Sequence, residues 1–152
     1  MAYTTSEARQ ELVDTVAQAA NELAFASACL AEAYELLDEY NGDRLEAELF
    51  RPVQLAYGRA KRTYTEFAGR HGLRAAAFEN QSTGLASQGA ASFVARAVEA
   101  VGTADRILAE LQDSMLPVEA GDEALRARLK EVREPLGGQP RKARDFLRGL
   151  GR

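Results

Sequence analysis

The chain has 152 residues, enough for one domain with an apolar core, so residues 1–152 are predicted to form a single domain. A content of 46% apolar and 28% charged residues is ordinary for a globular protein. The net charge of −4 gives no support for a nucleic-acid partner, and no segment approaches the ~18 apolar residues of a membrane span. The N-terminus lacks the pattern of a secretory signal, and Cys29, the single cysteine, cannot form an internal disulfide. A cytoplasmic location is therefore expected.

The first predicted helix runs from Thr4 to Tyr40. Thr4 and Glu7 have the form of a capping box, and Asn41-Gly42 supplies a left-handed residue that ends helices. The 29 alanines favour helix throughout the chain. Large residues alternate with alanine along the heptad seam, which lets a neighbouring helix approach closely. The members of this seam are Leu12, Val16, Ala19, Leu23, Ala26, Leu30, Ala33, Leu37 and Tyr40.

The second predicted helix runs from Asp43, acting as N-cap, to about His71, with Gly72 as the C-cap. Pro52 interrupts it about two turns in, because proline lacks the N–H of a helical residue and its ring clashes with the preceding turn. Two alternatives follow. Pro52 either kinks the helix or starts it, with 43–50 as a separate short piece.

The third predicted helix begins at Ser82 or Thr83 and ends before Pro117, and residues 74–80 are expected to add one or two turns of helix. Its seam repeats the alternation of large residues with alanine and includes Val94, Ala97, Val101, Ala104, Leu108, Leu111 and Met115. The fourth helix begins at Gly121-Asp122 and is broken by residues 135–140, after which 140–150 form a short last helix.

These elements predict an all-α, up-down-up-down four-helix bundle with a kinked second helix and a broken fourth helix. Segment charges alternate: −9 over residues 1–50, +4 over 51–80, −3 over 81–120 and +4 over 121–152. This alternation predicts that the acidic first helix lies beside the two basic helices, with the acidic third helix on the diagonal. Alternatively, the alanine seams bring the first and third helices into direct contact.

No residue pattern predicts a catalytic, cofactor or metal site. The acidic residues of the long helices fall at outer heptad positions, and the one histidine, His71, is not part of a Glu-x-x-His pair. Cys29 lies just off the seam, where a packed thiol is expected. The small-residue segment from Ser82 to Ser92 opens a helix but lacks the spacing of a phosphate-binding loop, so close helix packing explains its glycines.

Six residues are candidates for a ligand site or an interface, although the aromatic residues among them are also expected simply at a boundary between core and solvent. Phe50, Tyr57, Tyr64 and His71 recur every seven residues along one flank of the second helix, and Tyr34 can join them. Leu55 lies on the opposite, charged face. It is either an ordinary exposed leucine or the mark of a contact with 74–80 or with a second subunit. For His71 the simplest expectation is a favourable interaction with the C-terminal end of its helix.

The sequence therefore predicts a non-enzymatic module for protein–protein interaction, with a homodimer as one form of it. The alternative is a small-ligand-binding protein or enzyme that uses a Tyr-lined pocket near Pro52. The basic, amphipathic stretch 141–148 is expected to pack on the bundle with its arginines toward acidic neighbours.

Overall fold

The computed structural model describes residues 5–78, 81–84 and 88–150, and these residues form helices and turns without any strand. The all-α class is therefore confirmed. The helices are α1 (Thr5–Glu35), α2 (Glu39–Leu45), α3 (Arg51–His71), α4 (Ala90–Asp113), α5 (Leu116–Glu119), α6 (Glu123–Arg133) and α7 (Gln139–Leu150). A π-helical turn (Glu46–Phe50) joins α2 to α3, and a 3-10 turn (Glu134–Leu136) follows α6.

The first helix ends at Glu35, five residues before the predicted end at Tyr40. Asp38 caps the next helix instead, because its side chain accepts a hydrogen bond of 2.8 Å from the backbone N–H of Asn41. Gly42 therefore lies inside α2 and is not a left-handed stop. The ring of Tyr34 packs against α2 here, and a Cβ at position 42 would lie in van der Waals contact with it, at 3.4 Å.

The second helix is continuous from Glu39 to His71 and does not begin at Asp43 or at Pro52. The π-helical turn immediately precedes the proline, and the N–H of Arg51 bonds back five residues to the carbonyl of Glu46. This wider turn accommodates a residue that cannot donate a backbone hydrogen bond. The kink predicted at Pro52 stays a prediction. At the other end, Gly72 is the predicted C-cap, with φ +62°.

Residues 72–89 form a long crossover connection between α3 and α4, and residues 73–78 of it are not helical, contrary to expectation. The third helix begins at Ala90, several residues after the predicted caps Ser82 and Thr83, and ends at Asp113. Residues 79–80 and 85–87 lie outside the described residues, so part of the predicted 74–80 helix and of the 82–92 segment is not described.

The fourth helical stretch is broken as predicted. Asp122 caps α6 by accepting a 2.8 Å hydrogen bond from the N–H of Leu125. The 3-10 turn and Gly138, which has φ +80°, then separate α6 from α7. A short helix, α5, which the sequence did not predict, precedes α6. The predicted seam residue Met115 is exposed, as is Tyr40 at the end of the first seam.

Helices α1 and α4 form the most extensive contact in the molecule and run antiparallel. In the C-terminal half of α1, the ring of Phe25 lies 5.2 Å from the guanidinium of Arg96, in the first turns of α4. Near the start of α1, Arg9 Nε donates to the carbonyl of Ala120, beyond the end of α4. The two alanine seams are buried along this contact.

Helix α3 also runs antiparallel to α1, so α3 and α4 point in the same direction. Gln10 exchanges hydrogen bonds with the backbone of Arg74, just after α3, while Ala28 lies beside Gln54, near the start of α3. Helix α6 runs back along α3, and α7 continues in the same direction along the π-helical turn and α2 while packing on α4. The predicted up-down-up-down order is therefore corrected to up, down, down, up, which requires the crossover connection to return along the length of α3.

The charge-based arrangement of helices is also wrong. Acidic α1 packs against acidic α4, and α6 and α7 make at most marginal contact with α1. Exposed ion pairs are worth about 0.2–1 kcal/mol each, less than burying even one large side chain of the alanine-flanked seams. Leu12, Leu23 and Leu108 are among the fully buried side chains that hold α1 and α4 together.

Candidate functional site

The predicted tyrosine flank of α3 contacts the crossover connection. Tyr64 is buried, and its hydroxyl accepts a 2.9 Å hydrogen bond from the N–H of Ala76. The ring of Phe78 packs edge-on against Tyr64 at 5.2 Å and against Tyr57 at 6.4 Å. Phe50 packs on the core at the border of an open groove of about 310 Å³ beside Tyr57. The aromatic flank of α3 thus anchors residues 76–78 of the crossover connection.

His71 joins the C-terminal end of α3 to the beginning of α6. Its Nε2 lies 2.9 Å from Asp122 Oδ2, and Arg70 makes two hydrogen bonds of 2.9 and 3.0 Å to the same carboxylate. The ring of Phe67 lies 4.5 Å from the imidazole. His71 therefore pairs with a carboxylate, a partner that the sequence alone did not identify.

Several attractive interactions act on the Asp122 carboxylate at once. Burial raises its pKa, but hydrogen bonds from Arg70, His71 and the backbone N–H of Leu125 outweigh that effect. The pKa of Asp122 is therefore held well below its usual range. The cluster therefore joins the C-terminal end of α3 to the N-terminal end of α6.

An acidic end patch lies at the junction of α1 and α2 and consists of Tyr34, Leu36 and Tyr40. All three side chains are exposed, Tyr40 to 70%. The neighbouring side chains are largely acidic and include Glu35, Asp38, Glu39 and Asp43. The patch combines exposed aromatic and aliphatic surface with negative charge. Tyr34 thus lies at the end of the molecule and not with the tyrosines of α3.

A basic groove with a volume of about 710 Å³ lies where α3 passes the 3-10 turn. Pro52, Leu55 and Pro135 supply its apolar surface, and Leu55 is 47% exposed. The charged side chains on its border are Arg51, Arg59, Lys142 and Glu134. Leu55, the exposed residue that the sequence singled out, therefore lies beside the 3-10 turn.

The groove was only partly predictable. The sequence identifies Pro52, Leu55 and the break at Pro135 one by one, but no local signal shows that they meet, because more than 80 residues separate Pro52 from Pro135. Lys142 is recognisable as part of a basic amphipathic stretch, yet its place beside α3 follows only from the packing of α6 and α7.

The corrected topology also divides the charges between two halves of the molecule. Helix α1 carries six acidic and one basic side chain, and α4 carries four acidic and two basic ones. Helix α3 carries five lysines and arginines against one acid, and α6 and α7 together carry eight against three acids. The acidic half is α1 with α4, and the basic half, which holds the groove, is α3 with α6 and α7. The acidic α2 and π-helical turn contact both α1 and α7.

Within the described residues, no three His, Cys, Asp or Glu side chains lie close enough together to hold a metal ion. Cys29 is fully buried in the core, and burial raises the pKa of its thiol. This is the environment of a packed side chain, since a reactive cysteine needs an exposed thiolate. No described helix is sufficiently long and apolar to cross a bilayer.

Comparisons with protein-family models, with curated proteins and with solved structures give no match to this chain.

Proposed function

We propose that this chain is a non-enzymatic protein-interaction module and that the basic groove is its docking site. In this proposal the four helical stretches α1, α2–α3, α4 and α6–α7 form a four-helix bundle that presents the groove on its basic half. A cytoplasmic location, expected from the sequence, belongs to the same proposal.

The observation that carries the proposal is the exposure of Leu55 in a groove with apolar walls and a cationic border. Exposed apolar surface bordered by polar groups is typical of sites that bind other proteins. Arginine is favoured in such sites, since its stem covers apolar surface while its guanidinium pairs with a carboxylate. The groove therefore suits an acidic segment that carries at least one apolar anchor.

The alternative, a small-ligand site or enzyme with a Tyr-lined pocket near Pro52, finds less support. Tyr57 and Tyr64 contact the crossover connection, and Tyr57 is the one tyrosine among the described residues on the border of the open groove of about 310 Å³ beside Phe50. None of the described residues on the border of the larger groove at Pro52 is a tyrosine. We therefore propose the interaction module as the function.

The test is an NMR titration of the full-length chain with two synthetic amphipathic helical peptides. The peptides share the same apolar residues and differ only in carrying glutamates or lysines on the polar face. The acidic peptide is expected to shift the resonances of Leu55 and its neighbours in the groove, and the basic peptide is expected to leave them in place.

Leu55→Asp should abolish the shifts, because it places a charge where the apolar anchor binds. Val118→Asp is the matched control, since Val118 is an exposed apolar residue, 63% accessible, that does not line the groove. If the acidic peptide shifts residues of α1 and α4 instead, or if Leu55→Asp binds as tightly as the unchanged chain, the groove is not the docking site.

A further inference from the structure

The acidic end patch and the basic groove lie along the same continuous helical stretch. Tyr40 is at its beginning and Leu55 is 15 residues later, about 22 Å away at 1.5 Å per residue. Between them, Ala47 and Arg51 are also exposed, and both line the groove. These residues follow each other at close to helical spacing, so they form one solvent-facing stripe.

The two ends of this stripe carry charges of opposite sign. Glu39 and Asp43 lie at the Tyr40 end, and Arg51 and Arg59 lie at the Leu55 end. A second copy of the same stripe, turned end to end about Ala47, would therefore place Asp43 of each copy against Arg51 of the other. The remaining charged side chains near the axis, Arg44, Glu46 and Glu48, take part in ion pairs within the chain. The small residue Ala47 lies midway between Asp43 and Arg51, where two such helices would cross.

We infer that the occupant of the basic groove is a second copy of this chain, bound as a two-fold symmetric dimer through residues 39–59. This inference rests on the proposed docking function of the groove. Each copy inserts Tyr40 beside Leu55 of the other copy and pairs Asp43 with the other copy's Arg51, while the two Ala47 side chains face each other at the two-fold axis. A two-fold interface uses the same surface on both copies, so it closes at the dimer.

Arg51 is exposed and only weakly paired within its own chain, so it is available to pair with Asp43 of the other copy. Arg51 has 70% of its side chain exposed, and its internal ion pair with Glu46 is long, at 3.8 Å. Such a pair is weak, so Arg51 can re-pair with a carboxylate of another copy at little cost. Tyrosine and arginine are the residue types most often responsible for affinity at interfaces. The dimer would bury the exposed apolar side chains at both ends of the stripe.

Sedimentation velocity on the full-length chain tests the inference by a charge exchange. We expect the chain to form a dimer at micromolar protein concentration. Dimerisation should weaken as the salt concentration rises from about 0.05 to 1 M, because salt screens the facing charges. Asp43→Arg and Arg51→Glu should each weaken the dimer by about tenfold or more, since each places like charges opposite one another twice per dimer. The double variant D43R/R51E should recover the dimer, because it restores opposite charges at both places.

A cysteine at the axis gives a second measurement. Ala47→Cys should form a disulfide-linked dimer in air, whereas Ala127→Cys, at an exposed alanine of α6, should remain monomeric under the same conditions. Cys29 is buried and does not compete. Circular dichroism establishes that each variant is folded.

Two results would overturn the inference. A chain that stays monomeric at all these concentrations, yet still binds the acidic peptide in the groove, rejects the second copy as occupant and leaves the docking function intact. A dimer that forms without recovery in D43R/R51E, and without a disulfide through position 47, uses another surface. If neither dimer nor peptide binding is found, the proposed function fails together with the inference.

Discussion

Leu30 lies at the centre of α1 and is 1% exposed, in the seam that faces α4. We expect Leu30→Ala to lower the free energy of unfolding by about 2–5 kcal/mol, because it removes buried methyl groups and leaves a cavity. Denaturant unfolding measures the loss. Leu36→Ala is the control, since Leu36 is exposed and its truncation should cost little. A loss below about 1 kcal/mol for Leu30→Ala would contradict the assigned core.

A second prediction for a single residue concerns Asp122. Its side chain is both the N-cap of α6 and the partner of Arg70 and His71. Asn is as good an N-cap as Asp, so Asp122→Asn keeps the cap and removes the charge. We expect Asp122→Asn to destabilise the fold by about 1 kcal/mol, and Asp122→Ala by about 1 kcal/mol more.

The pH dependence of the stability lost in Asp122→Asn follows from the lowered pKa of Asp122. A carboxyl whose pKa is lower in the folded chain than its usual 3.8 stabilises the fold fully above that value and ceases to do so as the pH falls through the folded pKa. The stability difference between the unchanged chain and Asp122→Asn should therefore be constant near neutral pH and shrink below about pH 4. A difference that grows on acidification would show that Asp122 does not act through its charge.

At the scale of the element, the caps that the sequence predicted are those fixed by local chemistry. Gly72 takes the left-handed conformation that ends α3, and Asp122 caps α6 through its own side chain. Asn41-Gly42 looked like the same signal, but Gly42 is helical and lies inside α2, next to the ring of Tyr34. Whether a glycine ends a helix or lies inside one depends on packing, which no local pattern contains.

The crossover connection is the element that the sequence did not predict, and Tyr64 is its main anchor. Tyr64→Phe removes the acceptor for the N–H of Ala76 while keeping the ring that packs on Phe78. We expect amide exchange at Ala76 to become about tenfold faster, which corresponds to about 1.4 kcal/mol of lost protection. Exchange in the middle of α4, at Val101, should not change. If amide exchange becomes faster by the same factor at Ala76 and at Val101, the Tyr64 hydroxyl stabilises the whole fold and does not specifically hold the connection.

At the scale of the whole molecule, the alternation of charge along the sequence was a misleading guide to which helices touch. It is real, but burial of the alanine seams of α1 and α4 outweighs the repulsion between two acidic helices, because exposed charges are solvated and screened. The same charges acquire another consequence once the topology is known. They divide the molecule into an acidic and a basic half, and the groove lies in the basic one.

The all-α class and most of the core were therefore predictable, since heptad spacing alone identifies the buried face of each helix. The direction of α4 was not, because a long connection such as 72–89 can turn back at once or return along the molecule. The groove could not be predicted from the sequence either, because it is formed by α3 and the 3-10 turn, which are far apart in the chain.

The order up, down, down, up is the central claim, and a paramagnetic label at the start of α4 tests it most directly. Ala91 is exposed, so Ala91→Cys can carry a nitroxide, with Cys29 changed to Ala so that only one site is labelled. Because α4 runs antiparallel to α1, we predict that amide signals broaden near residues 28–33 of α1 and remain sharp at residues 7–12. Broadening at 7–12 with sharp signals at 28–33 would mean that α4 runs parallel to α1, and it would contradict the account.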